Sequence, residues 1–160
     1  MIAHNIRSSH NIGSIFRTCD GLGIEKLYLT GYSPYPAAGG DNRLPHVVRR
    51  VNARITKTAL GAEKSVNWEH TDTEACLKKL KAAGYRIVGL EQDKSSRPLH
   101  KYAPADKVAL LLGEEINGLD AKLLEKCDEL IEIPMLGEKE SFNVSVATAI
   151  ALYHLRFIDT

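Results

Sequence analysis

The chain has 160 residues, of which 44% are apolar and 26% are charged, and its formal net charge is +1. These values are typical of one globular domain and not of a disordered chain. No apolar run approaches the roughly 20 residues that span a membrane, and the three cysteines have neither paired nor metal-ligand spacing, so we expect a cytoplasmic protein without a membrane segment or a metal site.

Hydrophobic periodicity and capping residues divide the chain into alternating strands and helices. In the first half they predict, in order, a strand at 1–6, a helix from Ser8 or Ser9 to Gly23, a strand at 26–30 and a long, mobile loop at 31–45. In the second half they predict a helix at 72–83, strands at 86–91 and 108–113, a short helix at 120–126, a strand at 130–133 and a last helix that Ser141 and Asn143 begin. Residues 46–67 show no clear period and could hold a short helix. The alternation predicts an α/β domain with a mainly parallel sheet.

Two strand ends carry polar residues that could bind a ligand. The strand predicted at 108–113 runs into the paired acids Glu114 and Glu115, which Gly113 and Gly118 bracket. The last predicted strand is followed by a polar loop and a helix with small residues. Open α/β sheets bind ligands beyond the carboxyl ends of their strands. Solvated acids in an ordinary strand-to-helix turn are the alternative interpretation.

The first predicted helix carries Asn11 in its first turn and Arg17 in its middle. A separation of six residues puts the two side chains about 240° apart around the helix axis, so they do not share a face. Because its neighbours are apolar, Arg17 needs a partner or an exit to solvent. Taken alone, it could be an ordinary surface arginine.

Positive charge is concentrated in the first half of the chain. Residues 42–62 contain five cations and no acid, and residues 1–19 contain Arg7 and Arg17 and no acid. This asymmetry fits a surface that faces a polyanion, and it fits a plain solvated basic face equally well.

Three segments, taken together, resemble the SpoU or TrmH-like branch of the SPOUT superfamily of RNA ribose 2′-O-methyltransferases. The first motif of that branch, an asparagine followed six residues later by an arginine, is similar to residues 11–17. The second, an apolar strand that runs into Gly-x-Glu-x-x-Gly, is similar to residues 110–118. The third, Ile-Pro-Met with a later Ser-Leu-Asn, is similar to residues 133–135 and 141–143, where Phe142 replaces the leucine. The order and spacing of the three motifs agree over essentially the whole chain.

The resemblance implies an α/β-knot, with a mostly parallel sheet, helices on both faces and a deep trefoil knot near the C-terminus. One domain would cover residues 1–160, with the knot and the cofactor site at about 86–157. Since the chain begins directly at the first strand, we expect no appended RNA-binding domain.

The resemblance also implies an enzyme that uses S-adenosylmethionine to methylate a ribose 2′-hydroxyl of RNA, with tRNA expected in preference to rRNA. Members work as homodimers that pack their first and last helices across a two-fold axis and bind RNA across the pair. Two alternatives stay open. One is a non-catalytic RNA-binding or assembly factor with the same fold, and the other is an enzyme that methylates a base.

Site residues carry over from the resemblance position by position. The implied catalytic residues are Arg17, Asn11, Glu115, Ser141 and Asn143. The implied cofactor-binding residues are Leu90, Glu91, Gly113, Gly118, Ile133, Met135, Phe142, Asn143 and Ala147. The residues expected to bind RNA are Arg7, Arg43, Arg49, Arg50, Arg54 and Lys57.

Arg17 holds the position to which the family assigns activation of the hydroxyl. A guanidinium stays protonated in proteins, so it cannot act as a general base. We therefore expect Arg17 to bind the target phosphate or the developing oxyanion, with Glu115 as its partner. Asn11, Ser141 and Asn143 would orient Arg17 and the ribose. Phe142 keeps its position apolar but could reshape the adenine pocket.

Overall fold

The computed structural model describes residues 1–157, so the last three residues of the predicted 1–160 domain lie outside the described residues. The described strands are β1 (Ile2–His4), β2 (Leu27–Thr30), β3 (Trp68–Thr71), β4 (Arg86–Leu90), β5 (Arg97–Pro98), β6 (Val108–Leu112) and β7 (Glu129–Glu132). The described helices are α1 (Ser9–Gly21), α2 (Pro45–Ala59), α3 (Ala62–Ser65), α4 (Thr73–Ala82), α5 (Ala121–Leu124) and α6 (Val144–Phe157), with a 3₁₀ turn at Leu99–Lys101.

The strands form one parallel sheet in the order β3-β2-β1-β6-β4-β7-β5. This confirms the predicted α/β fold with a mainly parallel sheet. Successive residues of a strand point to opposite faces, and both faces are buried here. Residues of α1, α2 and α6 pack in the hydrophobic cluster on one face, and residues of α4 and α5 pack in the cluster on the other. The trefoil knot expected at about 86–157 stays a prediction.

Capping residues set the predicted helix ends. The Ser8 side chain accepts a hydrogen bond from the Asn11 backbone N–H at the start of α1, and Gly23, with φ of 61°, lies just beyond its end. Asp72 caps α4 in the same way through the Ala75 backbone N–H, and Gly84 has φ of 83°. A side-chain oxygen satisfies an N–H that the first turn leaves free, and glycine adopts positive φ without strain.

The helix expected within residues 46–67 is longer than predicted. A helix of 15 residues, α2, begins at Pro45, and the four-residue α3 follows it. The apolar stripe of α2 is thin, because only Ile55 and Ala59 are fully buried and the rest of the helix is polar or half-buried. The strand β3, the short strand β5 and the 3₁₀ turn after β5 were also not predicted.

The helices α1 and α2 touch at a glycine. A Cβ atom on Gly13 would lie 2.0 Å from Thr58 Oγ1 and 2.3 Å from the Ile55 carbonyl oxygen. The Thr58 hydroxyl donates to the His10 carbonyl at 2.8 Å, which joins the two helices at the same level. Only a residue without a side chain fits here, so Gly13 sets the distance between α1 and α2.

No helix within residues 1–157 is both long enough and apolar enough to cross a membrane.

Gly13→Ala is expected to lower the free energy of unfolding by about 1–3 kcal/mol, because the added methyl group overpacks the contact between α1 and α2. Urea unfolding followed by circular dichroism measures the change. Gly21→Ala in the same helix is the control, since nothing lies within 4 Å of its added Cβ. Alanine is favoured over glycine in helices by roughly 1 kcal/mol, so the control should keep or gain stability. Equal midpoints for the two variants would contradict the role given to Gly13.

Candidate active site

A cavity of about 470 Å³ opens at the carboxyl edge of the sheet, beyond the ends of β4, β6 and β7. The loops after these strands and the first turn of α6 form its walls. Eight of the nine residues that the resemblance assigns to the cofactor line it: Leu90, Glu91, Gly113, Gly118, Ile133, Phe142, Asn143 and Ala147. The ninth, Met135, does not line the cavity.

Two glycines shape the loop after β6. Glu114 and Gly118 exchange backbone hydrogen bonds of 3.1 and 2.9 Å, which closes a tight turn. A Cβ on Gly113 would lie 2.3 Å from the Gly118 carbonyl carbon, and Gly118 itself has φ of 66°. Both positions therefore require glycine. The Gly-x-Glu-x-x-Gly motif thus forms a tight turn, and the backbone of this turn faces the cavity.

The carboxylate of Glu91 supports this turn from the neighbouring loop. Its Oε2 accepts a hydrogen bond of 2.7 Å from the Leu119 backbone N–H, and a Cβ on Gly118 would lie 2.0 Å from the same oxygen. Its Oε1 accepts from the Gln92 backbone N–H at 2.9 Å. The loops after β4 and β6 are therefore held together beside the cavity.

The loop after β7 is joined to the loop after β4 by Gln92, whose side-chain amide donates to the Glu140 carbonyl at 2.8 Å. The sequence prediction omitted both residues, although both line the cavity. It also omitted the lining residues Leu112, Glu114, Ile116 and Val144 from the cofactor set. Gln92, Leu112, Glu114 and Ile116 lie at or just beyond the carboxyl ends of parallel strands, and that position is the signal that could have found them.

Glu115 joins the loop after β6 to the start of α1. Its carboxylate accepts hydrogen bonds from the backbone N–H groups of Arg7 (3.0 Å) and Ser8 (3.3 Å) and from the Asn11 side-chain amide (3.1 Å). Burial raises the pKa of this carboxyl, but the hydrogen bonds outweigh burial, so the pKa lies below its ordinary value. Glu115 is thus an ionised anchor and not a solvated surface acid.

The amide of Asn143 extends this network to the last helix. Its Nδ2 donates to Asn11 Oδ1 at 3.3 Å, across 132 residues of sequence. Its Oδ1 accepts from the backbone N–H and the hydroxyl of Ser145 at the start of α6. Asn143 therefore caps α6 and also contacts the first motif. Ser141 is exposed, lines the cavity and makes no side-chain hydrogen bond within residues 1–157, so Asn143 alone acts as the cap.

The structure does not contain the expected pair between Arg17 and Glu115. Arg17 is exposed in the middle of α1 and makes no hydrogen bond or ion pair with any residue from 1 to 157. The carboxylate of Glu115 is already bound by three donors. The helix geometry gives the reason, because Asn11 faces Glu115 and Arg17, six residues later, points about 120° away from Asn11 by the shorter way round the axis.

Arg43 differs from the other cations expected to bind RNA. Its guanidinium pairs with the Asp41 carboxylate, donates to the carbonyls of Tyr35 and Pro36, and lies 3.5 Å from the centroid of the Tyr35 ring. Its hydrogen bonds hold the pKa of Asp41 well below its usual range. Arg43 therefore stabilises the 31–44 loop, and its charge is largely neutralised.

The other expected RNA contacts are exposed cations. Arg7 lies in the loop before α1, and the remaining four lie on α2: Arg49, Arg50, Arg54 and Lys57. The helix contains no acid, so these charges form an uncompensated basic surface. Within residues 1–157 no three metal-ligating side chains come together in a group that could hold a metal ion.

Comparison with known proteins adds to this geometry. A model of the SpoU rRNA Methylase family matches residues 1–153. The 23S rRNA (guanosine-2′-O-)-methyltransferase of Bordetella pertussis is 30% identical over 96% of this chain and 57% of its own length. The tRNA (guanosine(18)-2′-O)-methyltransferase of Aquifex aeolicus is 33% identical over 96% of this chain and 66% of its own. The chain thus spans between half and two thirds of these relatives.

A solved structure shares the fold. The AdoMet-bound rRNA methyltransferase from Sinorhizobium meliloti superimposes with a TM-score of 0.80 at 24% identity, and the match covers 97% of this chain and 54% of that one. The parallel sheet, the hydrogen bonds that join the three motif segments beside one cavity and the match over residues 1–153 agree with one another. The chain therefore belongs to the SpoU rRNA methylase family.

Proposed function

We propose that this chain transfers a methyl group from S-adenosylmethionine to a ribose 2′-hydroxyl of RNA. The observation that carries the proposal is the hydrogen-bonded set of Asn11, Glu115 and Asn143, which joins all three family motifs beside one cavity. The names of its relatives give 2′-O-methylation of guanosine in rRNA and in tRNA. Both kinds of RNA are therefore candidate substrates, and tRNA is the one to test first.

The cavity fits the cofactor in size and chemistry. Its volume of about 470 Å³ lies within the range of roughly 300–1,000 Å³ that small-molecule sites occupy. Leu90, Ile133 and Phe142 give it apolar walls suited to an adenine ring, and Gly113 and Gly118 expose backbone to it. When bound, S-adenosylmethionine supplies a methyl group that its positively charged sulfur already activates.

The residues of the chain must then make the ribose oxygen a better nucleophile. A 2′-hydroxyl attacks only as its proton departs, and the charge that develops on its oxygen has to be stabilised. We assign this stabilisation to the guanidinium of Arg17, which can donate to the oxyanion or bind the phosphate beside it with two parallel hydrogen bonds. Asn11, held by Glu115, and Asn143, which donates to Asn11, would position the ribose against the cavity.

Arg17 points away from the Asn11 side of its own helix, so we infer that a second copy of the chain supplies it. The face of α6 offers a surface for such a homodimer. Val146, Ile150, Tyr153 and Phe157 are 46%, 36%, 59% and 56% exposed, and their spacing puts them on one side of the helix. Exposed apolar stripes of this kind mark protein interfaces. Packing α1 and α6 across a two-fold axis would bring Arg17 of each copy toward the other cavity.

The basic surface of α2 is the proposed contact for the RNA backbone. Arg49, Arg50, Arg54 and Lys57 fall within about 140° around the helix axis. Cations on one face bind phosphates without regard to sequence.

We propose that residues 1–160 act as one domain in the cytoplasm, with the knot at about 86–157.

The proposal is tested by incubating the protein with methyl-labelled S-adenosylmethionine and bulk tRNA or rRNA, and by mapping the labelled nucleosides. Label in 2′-O-methylribose is the expected result, and the RNA that carries it names the substrate. Label on a base would instead support the base-methylating alternative. Binding of cofactor and RNA without transfer would support the assembly factor.

Ala147→Leu is expected to weaken S-adenosylmethionine binding by about 10- to 100-fold, since the larger side chain fills the cavity at a cost of about 1–3 kcal/mol. Calorimetric titration measures the affinity. Ala75→Leu, at an exposed position of α4 outside the cavity lining, is the matched control and should bind like the wild type. A wild-type protein that gives no binding heat would overturn the cofactor assignment.

Mixing Arg17→Ala with Asn143→Ala is expected to restore activity that neither variant has alone. In a mixed dimer, one site combines the intact cavity of one copy with the intact Arg17 of the other. Random exchange makes half of the dimers mixed, each with one working site of two, so about a quarter of the wild-type rate should return. Single-turnover methyl transfer is the measurement. If both residues act within one copy, every mixed site is broken and no activity returns.

A further inference from the structure

Tyr32 follows β2 at the carboxyl edge of the sheet, and its backbone is fixed on both sides. Its N–H donates to Asn5 Oδ1 at 3.1 Å, and a Cβ on the preceding Gly31 would lie 1.9 Å from the same oxygen. The following residue, Ser33, is 2% exposed, donates to the Ala3 carbonyl and accepts from the Ile6 N–H. The predicted mobility of the 31–45 loop therefore does not extend to this segment, which is tied to β1.

The ring of Tyr32 nevertheless projects into solvent, with 55% of the residue exposed. The other exposed aromatic residues within 1–157 have partners or a role already given. Phe142 lines the cavity, and Tyr153 lies 5.0 Å from Phe157 on the apolar face of α6. Tyr35, in the same loop, is stacked between Arg43 and His70. Among the described residues, Tyr32 alone combines an exposed aromatic ring, a rigid backbone and no aromatic or cationic stacking partner.

The neighbours of Tyr32 belong to the active site. The pKa of the Tyr32 hydroxyl is raised by partial desolvation and by the adjacent carboxylate of Glu114. Arg7 and Glu115 are also close enough to shift this pKa. Glu114 and Glu115 line the cavity. Because β2 lies two strands from β6 and neighbouring strands are about 4.8 Å apart, the two strand ends are separated by about 10 Å.

We propose that Tyr32 is a stacking platform for an unpaired base of the RNA, next to the ribose that enters the cavity. A rigid exposed aromatic ring stacks on any base at little entropic cost, because its backbone is already ordered. Arg7, exposed beside it, supplies a cation for the adjoining phosphate. The inference rests on the proposed function, and it adds a contact with an RNA base that does not depend on the phosphate contacts of α2.

Two variants separate the ring from its hydroxyl. Tyr32→Phe and Tyr32→Leu both remove the hydroxyl group, but only the leucine lacks an aromatic face. The probes are a fluorescein-labelled oligoadenylate decamer and an abasic decamer of the same length and charge, with binding followed by fluorescence anisotropy at one fixed salt concentration. Wild type and Tyr32→Phe should bind oligoadenylate within about twofold of each other. Tyr32→Leu should bind it about tenfold more weakly, and all three should bind the abasic decamer equally.

Three results would overturn the stacking role: equal oligoadenylate binding by Tyr32→Leu and wild type, an equal loss in both variants, or a wild type that does not distinguish the two decamers. Thermal unfolding midpoints confirm that the variants are folded. The assay does not require turnover. A wild-type protein that stacks the decamer but transfers no methyl group would contradict the proposed function and leave the stacking role intact.

Discussion

The site depends on the hydrogen bonds that the carboxylate of Glu115 accepts. It belongs to the loop after β6, yet its three donors lie at the start of α1. The parallel pairing of β1 with β6 brings these segments side by side, and the hydrogen bonds of the carboxylate join them. Buried charges are tolerated where hydrogen bonds satisfy them. Asn11 is thereby held toward Asn143, which itself lines the cavity.

Local signals in the sequence predicted much of the fold. Ser8, Asp72 and the glycines that end α1 and α4 lie where the capping rules put them. Apolar runs located the central strands to within one or two residues. The pattern failed at α2, because that helix buries only Ile55 and Ala59 fully and leaves its cations exposed, so its apolar period is weak.

The site was predicted less completely, for a different physical reason. The motifs identified the residues around the cavity, but spacing along a chain does not say which donor reaches which acceptor. Glu115 was expected to pair with Arg17 and binds Asn11 and two backbone N–H groups instead. Arg43 was expected to meet RNA and is engaged with Asp41 and Tyr35. The Glu115 contacts join segments about 100 residues apart, which no local pattern encodes, whereas the Arg43 contacts form within its own loop and depend on how that loop folds.

The position of β6 has a consequence for how the molecule forms. It lies between β1 and β4 in the sheet, although about 100 residues separate it from β1 along the chain. During synthesis β1 and β2 therefore leave the ribosome with one side of β1 unpaired until residue 112 has emerged. Closing so long a loop is slow compared with hairpin or helix formation. The first two motifs thus meet only after β6 has joined the two halves of the sheet, which couples assembly of the site to the pairing of β6 with β1.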